Sequence, residues 1–173
     1  MVKVICKQGD ITKERVDAIV NAANKFLLPG GGVCGAIFDA AGYGLQEECE
    51  QVGGCPTGEA RITHGYKLPV TYVIHTVGPV YLQEDGAEAE LLEAAYGESL
   101  RLADEYDIHS IAFPGISTGA FGYPAQEAMQ VARNAVDKYL KDNPDSGLEK
   151  IIFVAFTDED FEVYKKFFSQ ATD

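Results

Sequence analysis

The run KIIFVAF at residues 150–156 constrains the fold more than any other stretch of the chain, because every position after the first is apolar. A strand with one face in water alternates apolar and polar residues, whereas a continuous apolar run is typical of a strand that is covered on both faces. The run therefore predicts a sheet with helices packed against both of its sides.

The remaining sequence alternates short strand-like runs with longer segments of helical period. Strands are predicted at 2–6, 18–23, 60–63, 72–77 and 110–114, and helices at 33–52, 88–106 and 125–140. Thr157 is placed to cap a last helix with an aromatic side formed by Phe161, Tyr164, Phe167 and Phe168. This alternation indicates an α/β protein with a central, largely parallel sheet, and the length predicts one domain over residues 1–173.

The charge balance excludes several classes of partner. Asp and Glu outnumber Lys and Arg by 27 to 14, a formal net charge of −13, which repels polynucleotides and anionic membranes. No apolar run approaches the roughly 20 residues that span a bilayer, and the first residues lack a secretory signal pattern. We expect a cytoplasmic monomer without a nucleic-acid or membrane partner.

The cysteines and histidines indicate neither a metal site nor a disulfide framework, because they show no Cys-x-x-Cys or clustered spacing. We expect free thiols, no metal and no cofactor. The residues concerned are Cys6, Cys34, Cys49, Cys55, His64, His75 and His109.

Two glycine-rich segments, GGGVCG at 30–35 and GISTGAFG at 115–122, each lie between a predicted strand and a predicted helix. Ligands of such sheets bind at the carboxyl ends of the strands. Glycines let backbone N–H groups converge on a ligand, and a helix N-terminus adds roughly half a positive charge. Two such loops side by side could hold both phosphates of a diphosphate without any Lys or Arg, although glycines also serve tight turns.

The glycine spacing alone leaves the phosphate ligand open. Gly30, Gly32 and Gly35 form a literal G-x-G-x-x-G, but NKFLLP separates them from the preceding strand, unlike a dinucleotide-binding fingerprint. The chain also lacks G-x-x-x-x-G-K-[ST], which argues against a nucleotide-hydrolysing P-loop.

Polar and aromatic residues beside these loops narrow the choice. Asn24 could bind a ribose hydroxyl and Asp10 could accept a hydrogen bond from an exocyclic amine such as that of adenine. Equally, Asn24 could form a turn and Asp10 could cap a helix. Phe121 and Phe156 could stack on a sugar or base, or could pack in the core.

Six segments in one order resemble the macrodomain family of ADP-ribose-binding modules, within it the mono-ADP-ribosyl hydrolases and O-acetyl-ADP-ribose deacetylases. They are GDIT at 9–12, VDAIVNAAN at 16–24, GGGV at 30–33, GCPTGEARIT at 54–63, YVIHTVGP at 72–79 and GISTGAFGYP at 115–124. The resemblance covers nearly the whole chain. It implies a three-layer α/β/α sandwich with a mixed central sheet.

The resemblance also implies roles for individual residues. Asp10 matches the acceptor of the adenine amine, with the Ile11 backbone beside it, Asn24 matches the residue that orients the distal ribose, and Phe156 lies on the adenine side. The diphosphate and distal ribose would contact Gly31, Gly32, Val33, Cys34, Ser117, Thr118, Gly119, Ala120, Phe121 and Gly122.

One position departs from the hydrolase branch, in which an aspartate assigned to catalysis follows the glycines. Cys34 stands there in this chain, and Phe38 replaces the nearby histidine of that branch. The Gly-Val-Cys sequence does resemble the loop of alphavirus macrodomains, which have ADP-ribosyl hydrolase activity.

The leading hypothesis is therefore hydrolysis of ADP-ribosyl esters on acidic side chains, or of O-acetyl-ADP-ribose, by a substrate-assisted route. In this scheme Asn24 and the backbone from Gly119 to Phe121 carry the catalytic positioning. The alternatives are a non-catalytic ADP-ribose reader, a Cys34 nucleophile and a nicotinamide-dependent dehydrogenase.

Overall fold

The computed structural model describes residues 1–171, and one seven-stranded sheet runs through them. Its strands are β1 (Lys3–Gln8), β2 (Ala18–Ala22), β3 (Ala60–His64), β4 (Tyr72–Thr76), β5 (Ser110–Phe113), β6 (Lys150–Ala155) and β7 (Ser169–Gln170). All six strands predicted from the sequence are present, with boundaries that differ by one or two residues. The two-residue β7 is polar and too short for a periodic pattern, so the sequence did not reveal it.

The sheet is mixed, in the order β3-β4-β2-β5-β6-β1-β7. Among the strands of residues 1–171, five pairings are parallel, and only β3 runs antiparallel to its neighbour β4. The short connection between β3 and β4 explains this exception, because a parallel pair requires a longer crossover. The mixed sheet that the family resemblance implied is confirmed, and the largely parallel character inferred from the alternation also holds.

In the described part of the chain, five α-helices cover the two faces of the sheet: α1 (Gly32–Ala41), α2 (Tyr43–Val52), α3 (Glu88–Glu105), α4 (Ala125–Asp142) and α5 (Asp158–Tyr164). Helices α3, α4 and α5 pack on one face, whereas α1, α2 and a short 3-10 helix (Ile11–Lys13) lie on the other. The three-layer α/β/α prediction is confirmed.

Strand β6 shows why the sheet needs both layers. Ile151 and Phe153 belong to the core under α3, α4 and α5, whereas Ile152 and Val154 belong to the core under α1 and α2. Successive side chains of a strand point to opposite faces, so an uninterrupted apolar run can be buried only between two layers. Along residues 1–171, no helix combines the length and apolarity required to cross a membrane.

The prediction of one helix over 33–52 is wrong. Gly42 has φ +87° and separates α1 from α2, and its N–H bonds the Phe38 carbonyl as a C-cap. A positive φ suits glycine and ends a right-handed helix. The predicted cap Thr157 does accept a hydrogen bond from Asp160 N, but α5 ends at Tyr164, so Phe167 and Phe168 lie beyond it.

Candidate functional site

The two glycine loops lie next to each other because the strands that precede them are paired. Strands β2 and β5 are parallel neighbours, with Ala18 opposite Ile111 and Ile19 opposite Ala112. Their carboxyl ends therefore meet at the same edge of the sheet, where the first loop leads into α1 and the second into α4.

The loops enclose a cleft formed by two joined cavities of about 320 and 530 Å³. Four residues line both cavities: Gly32, Val33, Gly115 and Gly119. The first cavity is also lined by the predicted residues Asn24, Gly31, Cys34, Ser117, Ala120 and Phe121. The second is also lined by Asp10, Ile11, Thr118 and Phe156. The structure thus places every predicted site residue except Gly122 in the lining of the cleft. The Gly122 N–H donates a hydrogen bond to the Gly119 carbonyl and closes a turn.

The cleft is surrounded by backbone N–H groups without acceptors. Within residues 1–171, the N–H groups from Gly31 to Cys34 and from Ser117 to Phe121 have no hydrogen-bond acceptor. The first set opens α1, where helix geometry leaves the initial donors unpaired. No Lys or Arg is found among the described residues that line either cavity. Two runs of unpaired amides in one cleft form an anion site made of backbone dipoles.

Asp10 closes one end of the cleft. One oxygen of its carboxylate accepts hydrogen bonds from Thr12 N at 2.9 Å and Thr12 Oγ1 at 2.7 Å, and these bonds lower the pKa of Asp10. It therefore caps the 3-10 helix, as the alternative interpretation held, while still lining the cavity. Phe156 is 79% exposed at this end, so core packing does not explain it. An acceptor beside an exposed aromatic ring suits a planar base.

Asn24 lies at the other end of the cleft and shapes the first loop. Its Nδ2 donates to the Leu28 carbonyl at 2.8 Å, and its Oδ1 accepts from the N–H groups of Phe26 and Leu28. The turn-forming interpretation therefore describes the geometry, and one Nδ2 hydrogen remains for a ligand. The half-buried Phe121 lines the same cavity.

Cys34 is buried beneath the first glycine loop, against Leu28 and Asn21, and its sulfur is poorly suited to nucleophilic attack. The side chain is only 6% exposed, with Sγ 3.7 Å from the Leu28 carbonyl and 3.8 Å from Asn21 Nδ2. Burial raises the pKa of the thiol above its ordinary value, which leaves it protonated at neutral pH. All four cysteines are free and buried.

A buried polar network behind Cys34 was not found from the sequence. Asn21 Nδ2 lies 3.0 Å from His75 Nδ1, and His75 Nε2 lies 2.9 Å from Thr63 Oγ1. Burial lowers the pKa of His75 to about 4, so the ring is neutral. The only available signal was polarity at strand positions that periodicity places in the core.

Ser117 of the second loop packs against Gly78, two residues after the end of β4. It has φ +67° and is 5% exposed, and its Oγ has no hydrogen-bond partner among the described residues. A Cβ on Gly78 would lie 2.1 Å from that Oγ, so only glycine fits there. Gly78 lines the first cavity and was missed as a site residue, although it stands in the quoted YVIHTVGP segment.

Metal chemistry finds no support in this region. Among residues 1–171, no group of three or more His, Cys, Asp or Glu side chains is arranged to hold a metal ion. The polar lining of the cleft consists of amides, hydroxyls and the Asp10 and Asp160 carboxylates of the second cavity.

Comparison with known proteins identifies relatives. A family model described as "Macro domain" matches residues 20–132. The Macro domain-containing protein CT2219 of Chlorobaculum tepidum is 55% identical over 92% of this chain and 91% of its own length. The ADP-ribose glycohydrolase MACROD2 of Xenopus laevis is 50% identical over 95% of this chain, which covers 39% of that protein. A Trypanosoma brucei macrodomain solved in complex with ADP-ribose superposes with a TM-score of 0.87 at 40% identity, covering 94% of this chain and 68% of that one.

A substitution at Gly35 tests how closely the first glycine loop packs on α1. A Cβ at this position would lie 2.3 Å from the Gly30 carbonyl oxygen. We expect Gly35→Ala to lower the free energy of unfolding by roughly 1–3 kcal/mol in urea titrations, because loop backbone must move. The matched control is Gly97→Ala within α3, where a Cβ meets nothing within 4 Å. The control should gain roughly 0.5–1 kcal/mol, and equal behaviour of the two variants would contradict the close contact.

The lowered pKa of His75 predicts that the stability of the folded protein depends on pH. This pKa is about 4 in the folded protein against 6.5 ordinarily. Between these values the unfolded state binds the extra proton, so the free energy of unfolding should fall as pH falls, by up to about 1.4 kcal/mol per pH unit. Below about pH 4 this contribution is constant. Urea titrations of wild type and His75→Gln across this window should differ in slope, and parallel curves would refute the assignment.

Proposed function

Because this chain belongs to the Macro domain family, we propose that its cleft binds ADP-ribose and that it hydrolyses the ester joining ADP-ribose to an acidic side chain or to acetate. The two runs of unpaired amide groups carry this proposal. They meet in the middle of the cleft, where Gly32, Val33, Gly115 and Gly119 line both cavities. A diphosphate at that junction would accept hydrogen bonds from both loops.

The two ends of the cleft give the ligand a direction. At one end, Asp10 accepts from the adenine amine and Phe156 covers the base. At the other end, Asn24 and Phe121 hold the distal ribose. The ADP-ribose complex of the Trypanosoma macrodomain and the name of MACROD2 support this choice of ligand over other diphosphates.

The proposed chemistry relies on positioning, because the described residues that line the first cavity, where the distal ribose would bind, supply no side-chain base. None of the described residues that line this cavity is Asp, Glu or His. A water held between a ligand phosphate and the backbone from Gly119 to Phe121 attacks the ester carbonyl carbon. The ribose oxygen leaves with a proton from that water, which yields the free acid and ADP-ribose. The loop amides stabilise negative charge on the oxygen, and Asn24 orients the ribose.

The lack of a carboxylate among the described residues that line the first cavity also favours a second candidate, a reader that binds ADP-ribose without useful turnover. Calorimetry with free ADP-ribose gives binding under both hypotheses. Multiple-turnover release of ADP-ribose from an automodified transferase separates them, because a reader binds the modified protein and releases nothing.

Asn24 is expected to affect turnover more than affinity. Its amide holds the loop through Phe26 and Leu28 and keeps one donor for the ribose. We expect Asn24→Ala to lower kcat on a glutamate-modified protein at least about tenfold, since small misplacements cost up to 10²-fold. The calorimetric Kd should change far less. Asn134→Ala, on the exposed surface of α4, is the control. Full turnover with intact binding in the Asn24 variant would remove Asn24 from the mechanism.

Cys34→Asp should raise turnover, because it restores a carboxylate where the hydrolase branch carries one. Asn21 Nδ2 lies 3.8 Å from the present sulfur and could hold the new side chain. A positioned acid or base contributes typically about 10²–10⁴-fold, so we expect a gain of at least about tenfold in time-resolved ADP-ribose release. No gain would indicate that the missing carboxylate does not limit this site. Cys34→Ala is the comparison, and abolished turnover there would instead make the thiol the nucleophile.

A further inference from the structure

Away from the cleft, a groove of about 690 Å³ concentrates positive charge on this acidic chain. Five cations line it: Lys3, Lys7, Lys13, Arg15 and Lys150. They are five of the 14 Lys and Arg residues, and Glu14 is the only one of the 27 Asp and Glu residues among the described lining residues. The rest of the sequence therefore has nine cations against 26 carboxylates, so the charge is segregated.

Most of the cations in the groove are not neutralised by the protein. Lys7 pairs with Glu14 at 3.1 Å, which uses the one carboxylate among the described lining residues of the groove. Lys3, Lys13, Arg15 and Lys150 are exposed, and within residues 1–171 none of them forms an ion pair. Outside the groove, five of the nine other Lys and Arg residues pair with Asp or Glu within residues 1–171, against one of five in the groove. The five are Arg61, Arg101, Arg133, Lys138 and Lys165.

Two of these cations lie side by side on adjacent strands. Lys3 of β1 is directly opposite Lys150 of β6 in the parallel register. Neighbouring strands lie about 4.8 Å apart, and like charges at directly opposed positions are destabilising. No carboxylate of the described residues forms an ion pair with Lys3 or Lys150, although the chain has 27 Asp and Glu residues. An anionic partner would relieve the repulsion between them.

The floor and edge of the groove favour a polypeptide partner. The half-buried Ile5 and Val16 supply aliphatic surface between the cations, and no aromatic side chain for base stacking occurs among the described lining residues. The groove also includes Ser169 and Gln170 of the edge strand β7. An edge strand offers unpaired backbone groups to an extended peptide. The acidic remainder of the surface repels a long polynucleotide beyond the groove.

We propose that this groove is a docking surface for an acidic polypeptide segment, with Asp or Glu side chains on the four unpaired cations and aliphatic side chains on the floor. The groove and the cleft lie on two sides of the 3-10 helix, since Asp10 and Ile11 line the second cavity whereas Lys13 lines the groove. The groove shares no described lining residue with either cavity of the cleft, so we expect it to bind independently of the ligand there.

The test is fluorescence anisotropy of a labelled peptide of repeated Asp-Glu-Val with the full chain. We expect binding that weakens as NaCl rises from about 50 to about 300 mM. The triple variant Lys3→Glu, Arg15→Glu, Lys150→Glu should raise Kd at least about tenfold. The neutral pair Lys3→Gln, Lys150→Gln should also raise Kd, and it covers the case in which the triple variant does not fold. The control variant Lys67→Glu, Lys138→Glu, Lys141→Glu makes the same charge change elsewhere and should stay within about twofold of wild type.

Three results would overturn the proposal. They are no peptide binding by wild type, an equal loss in the control variant, or equal or tighter binding of an oligothymidylate of matched charge. The oligothymidylate result would make the groove a nucleic-acid site. Calorimetry with ADP-ribose on every variant should give an unchanged Kd, so failure at the cleft is recorded separately from failure at the groove.

Discussion

The parallel pairing of β2 with β5 is the interaction on which the candidate site depends. Ala18 opposite Ile111 fixes the register, and the parallel direction places both carboxyl ends at one edge of the sheet. The pairing can form because both strands are buried between helical layers, which apolar residues on their two faces permit. If the strands ran antiparallel, the two loops would lie at opposite edges, and neither run of amide groups would enclose a cleft.

Under our proposals, the cleft and the groove attract anions in two different ways to a chain with a net charge of −13. The cleft uses backbone dipoles, which require close approach and hence glycine. Gly78 lets the second loop pack closely at this site, because a Cβ there would displace Ser117. The groove uses side-chain charges kept apart from carboxylates. Dipoles act over short distances and suit a small ligand held tightly, whereas exposed charges act over a Debye length and suit a flexible partner.

Much of the fold followed from periodicity, because burial imposes it directly on the sequence. The apolar run at 150–156 gave a doubly covered strand, and the helical faces of α3 and α4 were found within two residues. The wrong helix prediction over 33–52 and the missed strand β7 have local causes. Gly42 breaks a pattern whose apolar spacing continues across it, and β7 is too short to show any period. The antiparallel β3 depends on the connection to β4 rather than on the residues of either strand.

The sequence by itself determined which residues could form the site: two glycine loops between strands and helices, with Asp10 and Asn24 beside them. Local chemistry left the roles of these residues open, because an amide or carboxylate serves a turn as well as a ligand. The tertiary structure decided that Asn24 holds its own loop and that Asp10 caps a helix while lining a cavity. It also buried Cys34 against Asn21 and left nine backbone N–H groups of the described residues without acceptors. Burial and hydrogen-bond partners depend on residues distant in the chain, so no local pattern could give them.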